Sequence, residues 1–178
     1  MTPKFTAVAV MTIDGKIAKN SHHNVNWSSA EDKAFLRQQI AKHDAIIVGR
    51  NTFEVAKKAL TKKEYATRNY IVLTRSAKTF KKQSRQVLYL NPQKIDLKKT
   101  IEKLGYKKVC ILGGTQTYSL MLRKNLLDEI FLTVEPLVFG TGLTFFEGNL
   151  PAAKFKLISI KKLNHQGAIL LHYQKIWN

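Results

Sequence analysis

Short continuous apolar runs, which suit strands covered on both faces, alternate along the chain with segments whose apolar residues recur every three or four positions. Residues 5–12 form the first run, ended by the Asp14-Gly15 turn and a polar loop over 19–26 that is a candidate lid. Ser28-Ser29-Ala30-Glu31 has the form of a capping box and predicts a helix to about residue 42, with Phe35, Leu36 and Ile40 as its apolar stripe. Residues 45–48 read as a short buried strand, and Asn51, with Glu54 three residues later, predicts the N-cap of a helix reaching about residue 60. Strands follow at 70–73 and 87–90, then a helix at 97–104, a strand at 108–112 and a helix at about 116–124. Tyr118, Met121, Leu122 and Leu126 supply the inward face of that last helix. Three β segments close the chain at 129–139, 155–161 and 168–175, the last two paired antiparallel around 164–167. This alternation predicts one α/β domain with a mainly parallel sheet covered on both faces and antiparallel strands added at one edge.

The length of 178 residues, with no linker, repeat or low-complexity tract, fits a single domain with one sizeable core. The apolar content of 44% is ordinary for a soluble globular protein, and no apolar stretch is long enough to span a bilayer. The first apolar run follows Lys4 but stops at Asp14-Gly15-Lys16, too early for a secretory leader. The single cysteine, Cys110, lies inside an apolar run; it excludes an internal disulfide and points to a buried, inert thiol in the cytoplasm.

Charge changes the picture more. Thirty Lys plus Arg face 12 Asp plus Glu, a formal net of +18. The lysines are scattered in pairs without interleaved aromatics, which argues against a nucleic-acid module and reads as solvated surface. Steering of a phosphorylated ligand into a positive cleft and nucleic-acid binding are the two alternatives.

Two glycine-bearing stretches, Val48-Gly49-Arg50-Asn51-Thr52 and Leu112-Gly113-Gly114-Thr115-Gln116, stand where a strand turns into a helix. Glycine lets the backbone approach a ligand, and the free amides of the following helix attract an anion. Each stretch alone also reads as an ordinary turn; the pair suits a dinucleotide. Asp32 is the other unusual residue. It precedes Phe35 and Leu36 by three and four positions and so lies within an apolar stripe, where an unpartnered charge is costly. Dipole compensation explains Glu31 better than Asp32. A half-buried carboxyl there suits proton supply in a reduction, with a hydroxyl such as Thr133 to hold it. His22, His23, His43, His165 and His172 lack metal-ligand spacing, so no metal site is expected. No G-x-S-x-G elbow is present, and Cys110 has no neighbouring base.

In chain order, 11–18 (MTIDGKIA), 27–32 (WSSAED), 48–54 (VGRNTFE), 73–76 (LTRS), 112–118 (LGGTQTY) and 127–146 (LDEIFLTVEPLVFGTGLTFF) resemble the dihydrofolate reductase superfamily. The D-G-K-I-A turn, the W-x-S-x-E-D segment and G-T-G-L-T-F-F most resemble the reductase domain of riboflavin biosynthesis, whereas V-G-R-N-T-F-E and I-L-G-G resemble dihydrofolate reductase itself. The resemblance implies a three-layer sandwich around a sheet of about eight strands. It also implies NADPH-dependent hydride transfer to a small heterocyclic substrate, with or without a phosphate, and a homodimer without membrane association. Family roles would then place Gly49, Arg50, Asn51 and Thr52 on the pyrophosphate and 2′-phosphate side. Thr74, Arg75 and Ser76 would stand around the adenosine end, and Gly113, Gly114, Thr115 and Gln116 would close on the pyrophosphate. The backbone at Val10 and Ile17 would hold the nicotinamide carboxamide, and Asp32, Trp27 and Thr133 would form the catalytic end. Riboflavin-type reductases carry an acid where this chain has Leu112, which leaves dihydrofolate as the alternative substrate.

Overall fold

The computed structural model describes residues 2–23 and 26–177. Its first half runs β1 (Lys4–Thr12), β2 (Lys16–Ala18), α1 (Ala30–Ala41), β3 (Ala45–Gly49), α2 (Arg50–Ala59), α3 (Lys62–Ala66), β4 (Tyr70–Leu73), β5 (Phe80–Lys82) and β6 (Val87–Leu90). The second half is α4 (Leu97–Lys103), β7 (Lys108–Ile111), α5 (Thr115–Arg123), β8 (Glu129–Glu135), β9 (Leu143–Thr144), β10 (Phe155–Lys162) and β11 (Ile169–Lys175). Nine strands form one sheet in the order β10-β11-β8-β1-β7-β3-β4-β6-β5, and β2 pairs with β9 apart from it. The six strands from β8 to β6 are parallel to one another. β10 and β11 are antiparallel at one edge. β5 is antiparallel at the other, so both edges depart from the parallel pattern, not one.

Alternation along the central strands builds the layers. Ile46, Val48, Tyr70 and Val72 point one way and bury Phe53 of α2, with Ile40 of α1 and Tyr65 of α3 against them. Ala45, Ile47, Ile71 and Leu73 point the other way onto Leu97 and Ile101 of α4 and Met121 and Leu122 of α5. Helices thus cover both faces. At the amino end of β3, Asp44 accepts the amides of Lys107 and Lys108 at 2.7 and 2.8 Å and clips β3 to β7.

Several boundaries differ from the sequence expectation. Ser29, not Ser28, caps α1, its hydroxyl accepting the Asp32 amide at 3.2 Å. α2 starts at Arg50 with Gly49 as its cap, not at Asn51, because β3 leads into the helix without a spacer. β8 ends at Glu135 because Pro136 has no amide to donate to a ladder. The short α3, with its Thr61–Glu64 capping box, and the three- and two-residue strands β2, β5 and β9 carry too few residues for a periodic signal. Of the candidate lid, residues 24 and 25 lie outside the described residues. Its first part is a turn in which the Lys19 amide donates to His23 Nδ1.

Candidate active site

The two glycine turns meet at the carboxyl ends of β3 and β7. The Gly49 amide donates to the Gly113 carbonyl at 2.7 Å. A Cβ on Gly49 would stand 2.8 Å from Thr117 Oγ1, and one on Gly114 would stand 3.1 Å from Thr52 Oγ1. Gly113 has φ +84°, and a Cβ there would meet the Tyr118 ring at 2.7 Å. The Gly113-Gly114 peptide is cis. Neither α2 nor α5 has a side-chain cap; in α5 the Thr117 amide turns back to the Gly114 carbonyl at 2.9 Å, and the amides ahead of it are the ones a ligand could take. Thr52 flanks this cradle, whereas Asn51 and Gln116 are exposed beside it. Thr115 is buried and its hydroxyl donates to the Thr144 carbonyl at 2.6 Å, which ties α5 to β9.

Beyond α2 the cradle continues into a basic cleft of about 320 Å³. Arg50 Nη1 donates to Ser76 Oγ at 3.0 Å, and Thr74 Oγ1 lies 2.9 Å from the same oxygen. Lys57, Lys81 and Tyr89 line the cleft with them. Arg75 does not: its side chain is exposed outside the lining, and its carbonyl accepts from Asn91 at 3.1 Å. Lys57 was legible in principle, because it stands seven residues after Arg50 on one helical face. Lys81 arrives from β5, and nothing in the sequence pattern signals it.

The other end of the site lies on β1 and β8. Pairing of β1 with β7 stops at Ala7–Ile111, while pairing with β8 continues to Thr12–Glu135. β1 therefore has a strand neighbour on only one side from Val8 onward, and Val10 lies in that stretch. Ile17 is buried in β2, which β9 pins. The Tyr118 hydroxyl donates to the Val8 carbonyl at 2.8 Å. Burial raises the Tyr118 pKa, and the charges of Cys110 and Asp32 raise it further, so Tyr118 packs against the Gly113 turn and lies within electrostatic reach of the acid. Tyr118 thus links the cradle to the surroundings of Asp32.

Asp32 is 6% exposed, more buried than the apolar stripe beside it. It faces Thr133 and Glu135, alternate residues of β8 that are 1% and 4% exposed. Burial lifts its carboxyl above the ordinary aspartate range; the hydroxyls of Thr133 and Ser28 act against the shift, the charge of Glu135 adds to it and Lys33 opposes it. The Thr133 hydroxyl is close enough to act on Asp32, yet it makes no hydrogen bond of ordinary geometry. Trp27 Nε1 is likewise buried with no partner among the described residues, and the Trp27 ring packs edge-on against Phe139 at 4.9 Å. Two buried donors without a partner of ordinary geometry suit a polar ligand. Glu135 and Phe139 were missed from the sequence; Glu135 stands two residues beyond Thr133 on a strand, the spacing that places both on one face.

The sequence matches the RibD C-terminal domain over residues 3–169. The chain belongs to this family. It is 24% identical to the uncharacterized protein YwjB of Bacillus subtilis (strain 168) over 176 residues, 97% of this chain and 98% of that one. A pyrimidine reductase-like protein from Corynebacterium diphtheriae NCTC superposes with a TM-score of 0.73 at 18% identity, covering 99% of this chain and 93% of the other. Dihydrofolate reductase from Enterococcus faecalis, solved with NADP(H), gives a TM-score of 0.65 at 17% identity over 97% and 96% of the two chains. The fold of this RibD C-terminal domain is that of dihydrofolate reductase.

Cys110 is buried, and burial pushes its thiol up to about 12, which leaves it no nucleophilic role. Among the described residues no cluster of His, Cys, Asp and Glu could hold a metal ion, and no helix is long and apolar enough to cross a membrane.

Proposed function

We propose that this RibD C-terminal domain protein is an NADPH-dependent reductase of a pyrimidine- or pterin-type heterocycle, nearest in kind to 5-amino-6-(5-phosphoribosylamino)uracil reductase. The observation that carries the reading is the junction of the two glycine turns, with a basic cleft on one side and the buried Asp32 on the other. NADPH, when bound, supplies a hydride. The two turns would hold the pyrophosphate, with the amides of Arg50, Asn51 and Thr52 and those of Gly113, Gly114, Thr115 and Gln116 as donors, while Gly49, its own amide engaged with the Gly113 carbonyl, lets the backbone come close. Arg50, Thr74 and Ser76 would take the 2′-phosphate, since a guanidinium matches phosphate oxygens with paired hydrogen bonds. The backbone at Val10 and Ile17 would hold the carboxamide. Asp32 orients a substrate ring nitrogen and holds the proton that reduction requires, with Trp27 and Thr133 bounding the pocket.

Melting with and without ligand tests this. NADPH at millimolar concentration should raise Tm, and an NADPH-oxidation screen should separate the phosphoribosylaminopyrimidine from dihydrofolate. An unchanged Tm overturns the proposal. Dihydrofolate is the second reading, favoured by the Asp32–Thr133 juxtaposition and by Leu112 in place of an acid. The contrasting class, a nucleic-acid module on this scaffold, would show salt-dependent duplex DNA binding together with indifference to NADPH. A homodimer in the cytoplasm completes the reading. Leu157, Ile158, Ile160 and Ile169, exposed on the β10–β11 edge, favour self-association, which light scattering checks. The lone buried thiol suits a reducing compartment.

A further inference from the structure

The cap of α1 is assembled in an unusual way. In a capping box the N-cap hydroxyl accepts the amide of the third helical residue, and the side chain of that residue returns to accept the N-cap amide. α3 does both: Glu64 donates its amide to Thr61 Oγ1 at 3.2 Å, and its carboxylate accepts the Thr61 amide at 3.0 Å. That closed bond to the Thr61 amide is the largest cause of a Glu64 pKa below the ordinary glutamate range. In α1 the third helical residue is Asp32. Its amide donates to Ser29 Oγ at 3.2 Å, but the Ser29 amide donates to Glu135 Oε1 of β8 at 2.7 Å. The reciprocal arm of the box comes from another strand.

We propose that Glu135 is a positioning residue: by taking the Ser29 amide it releases the Asp32 carboxyl from the helix cap and leaves it, beside the Thr133 and Ser28 hydroxyls, turned toward the ligand. The inference deepens the reductase reading and rests on it for the nature of that ligand, a heterocycle with a ring nitrogen facing Asp32. Three further observations support it. Asp32 and Glu135 are both buried, and neither is ion-paired with a Lys or Arg among the described residues, in a chain of net charge +18. A buried acid held by hydroxyls and amides, with no cation beside it where thirty are available, is a site kept for something else. Thr133, two residues before Glu135 on the same face of β8, sets its hydroxyl beside Asp32. No amide of the α1 cap is among the groups that hold the Asp32 carboxyl down, whereas the Thr61 amide is the chief one for Glu64.

The groups that face Asp32 define what the test must separate. From α1 these are Lys33 and, from the segment before it, Ser28; from β8, Thr133 and Glu135; from α5, Tyr118. Glu135 itself stands in register with Thr12 of β1, whose hydroxyl is engaged with Asp14 and with the Lys16 amide.

Carboxyl-carbon NMR titration of the full chain reads Asp32 directly and requires no substrate. In Glu135→Ala the Ser29 amide is freed, Asp32 closes the box as Glu64 does, and its midpoint should fall by at least one pH unit, a tenfold change in proton affinity. Glu135→Gln keeps an oxygen for the Ser29 amide and removes only the charge. Its midpoint should fall by less, with the Ser29 amide proton at its wild-type shift. A Glu135→Ala midpoint equal to wild type, or a fall no larger than that of Glu135→Gln, overturns the proposal; should Glu135→Ala not fold, Glu135→Leu, which also lacks the oxygen, is read in its place. NADPH melting of wild type runs in parallel: a chain indifferent to NADPH sinks the reductase reading, while the titration still decides the cap.

Discussion

The Gly49 amide and the Gly113 carbonyl, 2.7 Å apart, bind the turn after β3 to the turn after β7. That single hydrogen bond joins two local turns and fixes the uncapped first turns of α2 and α5 side by side, the arrangement the proposed pyrophosphate site needs. The site is therefore sensitive to any side chain added at its floor.

Gly49→Ala should test this. The new Cβ would press to 2.8 Å of Thr117 Oγ1, a buried hydroxyl on a β-branched side chain with little room to move. Overpacking of this kind costs about 1–3 kcal/mol. Urea unfolding should show the loss, and calorimetry should show NADPH affinity falling together with it. A variant of wild-type stability that binds NADPH normally would contradict the close approach.

The phosphate contacts separate by side chain. Arg50→Ala and Lys81→Ala should each weaken NADPH more than NADH, because both line the cleft. A hydrogen bond to a charged group is worth about 1.5–3 kcal/mol, or roughly 10- to 100-fold in Kd. Arg75→Ala should leave the NADPH/NADH ratio unchanged, since its side chain is outside the lining. Fluorescence titration with the two cofactors measures all three.

Asp32→Asn should behave oppositely on stability and turnover. The folded pKa of Asp32 is raised above 3.8, so the native state binds its proton more tightly than the unfolded chain. The contribution to stability is full below about pH 4 and is lost as pH rises through the folded value, at about 1.4 kcal/mol for each tenfold difference in proton affinity between the two states. The neutral amide should therefore be more stable than wild type at pH 7 and equal to it in acid. Turnover should fall far more than NADPH affinity. Denaturation at several pH values, beside kcat and cofactor Kd, checks both halves.

Asp44→Ala concerns the fold alone. Two backbone amides hold its carboxylate below the usual aspartate range, with burial opposing. The stabilisation is present above about pH 4 and disappears as acid titrates the folded carboxylate through its lowered value. Solvent exposure limits it to about 1 kcal/mol. Thermal melts of the variant should converge with wild type at low pH, with NADPH binding untouched.

Much of the architecture was legible from local pattern. The continuous runs at β1, β3, β4 and β7 and the helical periodicity of α5 announce a covered parallel sheet, because burial on both faces demands apolar residues at every strand position. Asp32 was legible for the same reason: a charge on an apolar stripe violates that demand. Tertiary structure alone decided which groups meet. It set Lys81 rather than Arg75 in the cleft, and it gave the Ser29 amide to Glu135, 106 residues distant. Periodicity specifies which face a residue occupies; packing of remote elements specifies what stands opposite it, and no local spacing encodes that.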